Sequence, residues 1–333
     1  MANIIINEGT YKIRGKDVDL SGMTFPLVEE FKVGARGGYV TVDGSAVAGF
    51  PDRNIKIMCD SPEAYSATSG KVKKKEESDA EIIERMRERF DMLEDMTKAT
   101  KKGDVRAMIV SGPPGVGKSF GVEKVLGKHD LVATLGERAP KYEVVKGAMS
   151  ALGLYAKLYQ YADKDNVLVF DDCDSVLLDD LSLNILKAAL DSKKTRKIHW
   201  NTDSFKLRNE GIPDSFEFKG SAIFITNIKF DNVKSKKLRD HLEALESRCH
   251  YLDLTIDTER EKMLRIKQIV KDGMLDEYQI SQEKKDDIVE FIDINKKRLR
   301  ELSLRTVLKI ADLAKAFPDR WEAMAENTVM KRS

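Results

Sequence analysis

Between Val105 and Leu254 the sequence alternates short apolar runs with longer stretches of helical period. The runs are Val105–Val110, Tyr142–Val145, Val167–Phe170, Ala222–Thr226 and His250–Leu254. Apolar runs of this length predict strands buried on both faces, and the amphipathic stretches between most of them predict covering helices. The expected core is therefore α/β with a parallel sheet. After about Ile256 the strand signal stops, and residues 257–333 read as a separate, helical domain. Residues 1–65 read instead as a small β-rich domain. Their short runs (Ile4–Ile6, Tyr39–Val42, Ile55–Met58) are punctuated by Gly15, Gly34, Gly37, Gly38 and Gly44. Residues 66–79, small and charged without apolar periodicity, predict a linker. Ser78 and Glu81 have capping-box spacing, and Ile82, Met86, Phe90, Leu93 and Met96 fall on one face of the helix that follows. The core thus spans 80–256.

Composition narrows the function classes. The 57 Lys and Arg against 56 Asp and Glu leave a net charge of +1, so no global field draws the chain toward nucleic acid or an anionic membrane. Cys59, Cys173 and Cys249 lack ligand spacing and read as reduced thiols of a cytoplasmic protein. The first residues lack a basic segment followed by a long apolar one, and no run reaches the roughly 18 apolar residues of a membrane span. His129, His199, His241 and His250 are scattered and form no metal or nucleophile pattern.

Gly112-Pro113-Pro114-Gly115-Val116-Gly117-Lys118-Ser119 matches GxxxxGK[ST] in full, after an apolar strand and before a helix predicted from Lys118 to about Leu126. Each residue type has a reason. Glycines let backbone N–H groups curl around phosphate oxygens, and the helix adds its N-terminal donors. Lys118 is placed to bridge β- and γ-phosphates, and the Ser119 hydroxyl to ligate Mg²⁺. The whole loop, Gly112 to Ser119, is the candidate ATP site.

About fifty residues on, Val167–Phe170 runs into Asp171 and Asp172. A carboxylate at a strand's C-terminal end beside a phosphate loop can hold Mg²⁺, which makes Asp171 the second metal candidate. A neighbouring carboxylate can polarise the attacking water, a role given to Asp172, with Asp174 as its rival. This combination resembles the AAA+ superfamily of P-loop ATPases. There the acidic strand usually ends in Asp-Glu, whereas here Asp172, one methylene shorter, stands at the Glu position.

The resemblance extends over residues 80 to about 325 and implies three further site residues. Ile223-Phe224-Ile225-Thr226-Asn227 is similar to the sensor-1 strand, with Asn227 near the γ-phosphate. Ser247-Arg248-Cys249 resembles the SRC segment of clamp loaders, so Arg248 is the candidate arginine finger toward a neighbouring subunit, with Arg239 as the alternate. Glu301 to Ile310 resembles the sensor-2 segment of a helical lid, with Arg305 folding back on the nucleotide and Arg300 as the alternate. The implied architecture is a P-loop AAA+ core with a parallel sheet, a C-terminal helical lid and a small β-rich N-terminal domain. The implied assembly is a ring or helical homo-oligomer.

Two segments bear on what such a protein acts upon. Where protein-threading relatives carry an aromatic pore loop, this chain has Ala151-Leu152-Gly153, followed by Tyr155 and Tyr159 at a spacing more typical of core. Residues 193–218 form an insertion before sensor 1 with a predicted hairpin. Its Lys193, Lys194, Arg196 and Lys197 beside Trp200 have the composition to track phosphates and stack a base. The expectation is an ATP- and Mg²⁺-dependent motor or loader in DNA metabolism. The alternatives are a protein-remodelling chaperone that recruits a partner through the N-terminal domain, and a slowly hydrolysing nucleotide-gated scaffold.

Overall fold

The apolar runs fold as strands in the computed structural model, which describes residues 2–13, 16–35, 37–47, 49–51, 53–68, 77–135, 140–228, 230 and 233–331 (backbone alone for residue 13 and residues 128–135). Residues 69–76 of the predicted linker lie outside the described residues. The chain divides into two units, Met1–Ile82 and Ile83–Ser333.

The first unit is a seven-stranded antiparallel sheet. Its strands are β1 (Asn3–Ile6), β2 (Thr10–Ile13), β3 (Lys16–Asp19), β4 (Thr24–Gly34), β5 (Gly37–Asp43), β6 (Asn54–Met58) and β7 (Tyr65–Thr68), in the order β3-β2-β6-β5-β4-β1-β7. Alternation sends Ile4, Ile6, Phe25, Val40, Val42, Ile55 and Ile57 to one apolar core. β7 runs three residues past the predicted end of the β-rich domain, because Ser66, Ala67 and Thr68 pair with β1.

The division falls in the first turn of α1 (Asp79–Lys101), whose start is fixed as the spacing predicts. The Ser78 N–H donates to the Glu81 carboxylate at 2.8 Å, and the Glu81 N–H donates to Ser78 Oγ at 3.3 Å. Next come β8 (Ala107–Ser111), α2 (Lys118–Leu135), β9 (Tyr142–Lys146), α3 (Ala151–Gln160), β10 (Val167–Asp171), α4 (Ser175–Leu178) and α5 (Asp180–Ala189). The insertion holds β11 (Lys197–His199), α6 (Phe205–Asn209) and β12 (Ser215–Glu217), with β11 and β12 paired antiparallel as the hairpin expectation requires. Then follow β13 (Ser221–Thr226), α7 (Lys236–Glu246), β14 (His250–Asp253) and the lid helices α8 (Glu259–Ile269), α9 (Gln282–Asn295), α10 (Leu304–Ala316) and α11 (Trp321–Val329).

The five core strands are parallel, in the order β14-β8-β13-β10-β9. Period-two alternation divides the central strands β8, β10 and β13 between two cores, while the edge strands β9 and β14 are only partly covered. Met108, Val110, Val167, Val169, Ile223 and Ile225 meet Leu93 of α1 and Val122 and Leu126 of α2. Ile109, Leu168, Phe170, Ala222 and Phe224 meet Leu154, Leu186 and Leu242 of α3, α5 and α7. Each fully buried aliphatic or aromatic side chain here is worth about 1.5–3 kcal/mol, so the sheet is the rigid part of the unit. Its strands end level with one another. Ser111 is registered with Thr226 and with Asp253, and Asp171 with Ile225 and with Lys146. Everything that follows these strands therefore emerges at one edge, the edge at which open parallel sheets place their ligands. The lid has its own core around Ile266, Ile288, Ile292, Val307, Ile310 and Trp321. Among the described residues no helix is long and apolar enough to cross a membrane.

Candidate functional site

The loop after β8 wraps around its own lysine. Lys118, the first residue of α2, is buried, and its Nζ donates to Gly112 O at 2.6 Å, to Pro113 O at 2.9 Å and to Asn227 Oδ1 at 2.7 Å. Burial pulls the amine down to about 8; the charge of Asp172 opposes that shift and the charge of Arg305 adds to it. Both sensor candidates thus register at Lys118, Asn227 by contact and Arg305 by its field. Gly115 and Gly117 have φ of 72° and 102°, and a Cβ on Gly115 would stand 2.7 Å from Ser303 Cβ. A side chain at Gly115 would be both strained and obstructed.

The acidic pair splits its duties. Asp171 is buried, with Oδ1 accepting from the Ser119 hydroxyl at 2.8 Å and Oδ2 lying 3.4 Å from Lys146 Nζ. Asp172 is exposed at a φ of 51°, its backbone N–H tied to Ile225 O at 3.0 Å and its Oδ1 accepting from Asn227 Nδ2 at 2.9 Å. That left-handed backbone is unusual for a non-glycine residue, and aspartate is among those that tolerate it. Asn227 therefore joins the loop lysine to the second carboxylate. Asp174 is engaged elsewhere, its Oδ1 accepting from the Thr226 hydroxyl at 2.8 Å.

Ser119 Oγ and Asp171 are a hard-oxygen pair of the type Mg²⁺ takes, and such an ion draws its other ligands from phosphate and water. Among the described residues no cluster of three or more His, Cys, Asp or Glu is arranged around a metal position.

The lid touches the loop directly. Leu304 N–H donates to Gly115 O at 3.0 Å, and Arg305 follows in the first turn of α10, exposed. Ser303 Oγ and Glu301 Oε1 are buried beside Gly115 with no hydrogen-bond partner. Arg300, the alternate to Arg305, instead lies where the chain meets the C-terminal segment, its N–H donating to Val329 O.

Other expected residues are placed differently. Arg248 stands just beyond α7, and its guanidinium turns back on the Ala244 carbonyl of its own helix, leaving Nε buried without a partner. Arg239 is spent on Val233 O at 2.7 Å. In the insertion, two residues of the basic–aromatic reading belong to the core. Arg196 is buried, donating to Ala189 O and Gly220 O, and Trp200 packs on Tyr155 with ring centroids 5.6 Å apart. Arg196 presents no free face for phosphate, and Trp200 is half-buried with Tyr155 against its ring. Tyr155 is fully buried, as its helical spacing suggests.

Sequence reasoning missed Lys146, Glu301, Ser303 and Arg265. Lys146 had a legible signal, since it ends the strand registered beside Asp171. Arg265 had a fainter one, a charge set among the apolar residues Met263, Leu264 and Ile266.

A glycine-rich loop between strand and helix, an acidic strand set one strand away from it, a polar residue closing the strand between them and a lid seated on the loop define a P-loop protein of the AAA+ fold. The chain belongs to the family of the uncharacterized 36.7 kDa protein in the nrdC-mobD intergenic region of Enterobacteria phage T4. The two are 34% identical over 335 residues, covering 98% of this chain and 97% of the phage protein. No protein-family model matches the sequence. Solved structures similar to part of the chain include S. cerevisiae Hsp104 in its casein complex (15% identity, TM-score 0.41), where the match takes in 74% of this chain but only 40% of the Hsp104 chain. Domain III of the Thermotoga maritima replication initiation protein DnaA is another (9% identity, TM-score 0.41), with 73% of this chain and 91% of that one.

Proposed function

We propose that this chain binds ATP with Mg²⁺ on the loop Gly112–Ser119 and hydrolyses it with water, working as an oligomeric AAA+ ATPase. The observation that carries the proposal is the hydrogen-bonded line Lys118–Asn227–Asp172 beside the pair Ser119–Asp171. Groups from three separate stretches of sequence meet at the C-terminal edge of three adjacent strands. This meeting of charged and polar groups supports reading the loop as a phosphate site.

The chemistry follows from the positions. A triphosphate entering the loop would draw Lys118 from the Gly112 and Pro113 carbonyls to its β- and γ-oxygens. Mg²⁺, held by Ser119 and through its water shell by Asp171, would neutralise charge developing on those phosphates. Asp172, exposed and oriented by Asn227, would accept the proton of the attacking water. Arg305, whose charge is felt at Lys118, would answer the γ-phosphate from the lid. Arg248 would have to leave Ala244 to reach a neighbouring subunit's site, so its role in trans depends on assembly.

For the substrate, the basic insertion still favours DNA. Lys193, Lys194, Lys197 and Lys206 are exposed, and Phe205, 73% exposed at the start of α6, supplies an aromatic face more open than that of Trp200. Single-stranded DNA should stimulate phosphate release by the full chain, and Lys193→Glu with Lys194→Glu should remove the stimulation without lowering basal turnover. Stimulation by an unfolded protein and not by DNA would transfer the proposal to protein remodelling through the N-terminal sheet.

A further inference from the structure

We propose that Arg265 reads the nucleoside half of the bound nucleotide, donating from its guanidinium to an acceptor on the base or ribose; this deepens the nucleotide-binding proposal and rests on it. Arg265 sits on α8, the first lid helix, and is only 6% exposed. Its Cζ lies 3.6 Å from the centroid of the Phe90 ring, so the guanidinium sits over an aromatic of α1. Nη1 donates to Gln268 Oε1 at 3.1 Å, Nε has no partner, and no carboxylate forms an ion pair with it among the described residues. Burial, with the charge of Arg87 adding to it and those of Asp272 and Asp91 opposing, pulls the guanidinium down to about 10, the mark of a charge held without full compensation. A buried guanidinium offers five donors and no acceptor, so only an acceptor-bearing group can complete it.

The position identifies that group. Arg265 Nη2 stands 3.9 Å from where a Cβ of Gly117 would be, beside Phe90 Cε1 at 3.9 Å and Leu304 Cδ1 at 3.7 Å. Lys118 and Ser119 point the other way, toward Asn227 after β13 and Asp171 at the end of β10. In the strand order β14-β8-β13-β10-β9, the acidic, γ-phosphate end of the site therefore lies to one side of the loop. The lid helix α8, which follows β14, lies to the other. A triphosphate with its γ end over β13 and β10 must carry its nucleoside toward Arg265, Phe90 and Leu304. An aromatic wall, an aliphatic side chain and a fork of donors only partly filled by Gln268 suit a planar, acceptor-rich ring better than another phosphate.

The test compares ligands that share the phosphates but not the nucleoside. Calorimetric titration of the full chain with Mg·ATP and with Mg·tripolyphosphate should show that Arg265→Met weakens ATP by about tenfold to a hundredfold, the range for losing a charged hydrogen bond. Tripolyphosphate should be held within about twofold of wild type. Arg265→Lys keeps the charge but not the planar fork, so it should weaken ATP by a smaller factor and leave tripolyphosphate unchanged; it also serves if the methionine variant does not fold. Equal weakening of both ligands would overturn the inference, placing Arg265 on the phosphates or on lid closure. Unchanged binding of both would overturn it too, leaving the approach to Phe90 as a purely structural contact. A wild-type chain that binds neither ligand would refute the phosphate-loop proposal itself, a result readily told apart from a defect confined to the variants.

Discussion

Lys118 makes the site's ligand affinity depend on pH in a direction that can be worked out. In the free protein its amine is drawn down to about 8, mainly by burial. A bound triphosphate places several negative charges against it and raises that value again, so binding takes up a proton. The contribution is complete below the free-state value and is lost as pH rises through it. With a free value of about 8, roughly nine in ten chains carry the charge at about pH 7 and about one in ten at about pH 9, so apparent affinity should fall about tenfold between them. An ordinary exposed lysine, titrating near 10.4, would give almost no change over that window. Saturating Mg²⁺ keeps the nucleotide's own phosphates, with a second ionisation near 6, out of the measurement. Titration calorimetry with Mg·ATP in two buffers of different ionisation enthalpy measures both quantities, with proton uptake of about one half expected near pH 8. Lys118→Met should bind more weakly and without the slope. A wild-type affinity that is flat from about pH 7 to about pH 9, with no proton uptake, would refute the reasoning.

Asp172→Asn should retain nucleotide while phosphate release falls by about 10² to 10⁴. Asp174→Asn should chiefly lower the melting temperature, because its carboxylate holds the buried Thr226 hydroxyl; the reverse pattern would move the general base by two residues. Gly115→Ala should cost about 1–3 kcal/mol in denaturant unfolding and weaken nucleotide, since its φ of 72° and the 2.7 Å approach to Ser303 leave no room for the methyl group. If Arg248 acts in trans, Arg248→Ala should bind nucleotide yet turn over poorly, and mixing it with Lys118→Ala should restore activity. Absence of rescue in a mixture that co-assembles by sedimentation would leave Arg248 as the cap of α7.

The core was legible because its physics is local. The runs that became β8, β10 and β13 are too apolar to be anything but doubly covered strands, whereas Tyr142–Val145 and His250–Leu254, expected to be covered likewise, form half-covered edge strands because no described strand lies beyond them; GxxxxGK[ST] constrains backbone and chemistry together. The Ser78–Glu81 cap was legible for the same reason. The insertion was not. Arg196 and Trp200 look like a nucleic-acid surface in sequence, but the carbonyls of Ala189 and Gly220 and the ring of Tyr155 claim them, and these partners lie 7 to 45 positions away. Choosing between Asp172 and Asp174 likewise needed β13, which delivers Asn227 to one and Thr226 to the other. Arg265 stayed hidden because its meaning rests on Phe90 and Gly117, one from the helix before the sheet and one from the loop.

The central claim is that the Gly112–Ser119 loop binds and spends ATP. The most direct measurement is phosphate release from Mg·ATP by the purified full chain at matched concentrations of wild type, Lys118→Ala and Asp172→Asn, with bound nucleotide quantified in the same samples. The account predicts turnover by wild type alone, nucleotide retained by Asp172→Asn, and little or none held by Lys118→Ala. Wild-type turnover in the Lys118→Ala protein, or no nucleotide bound by the wild-type chain, would contradict it.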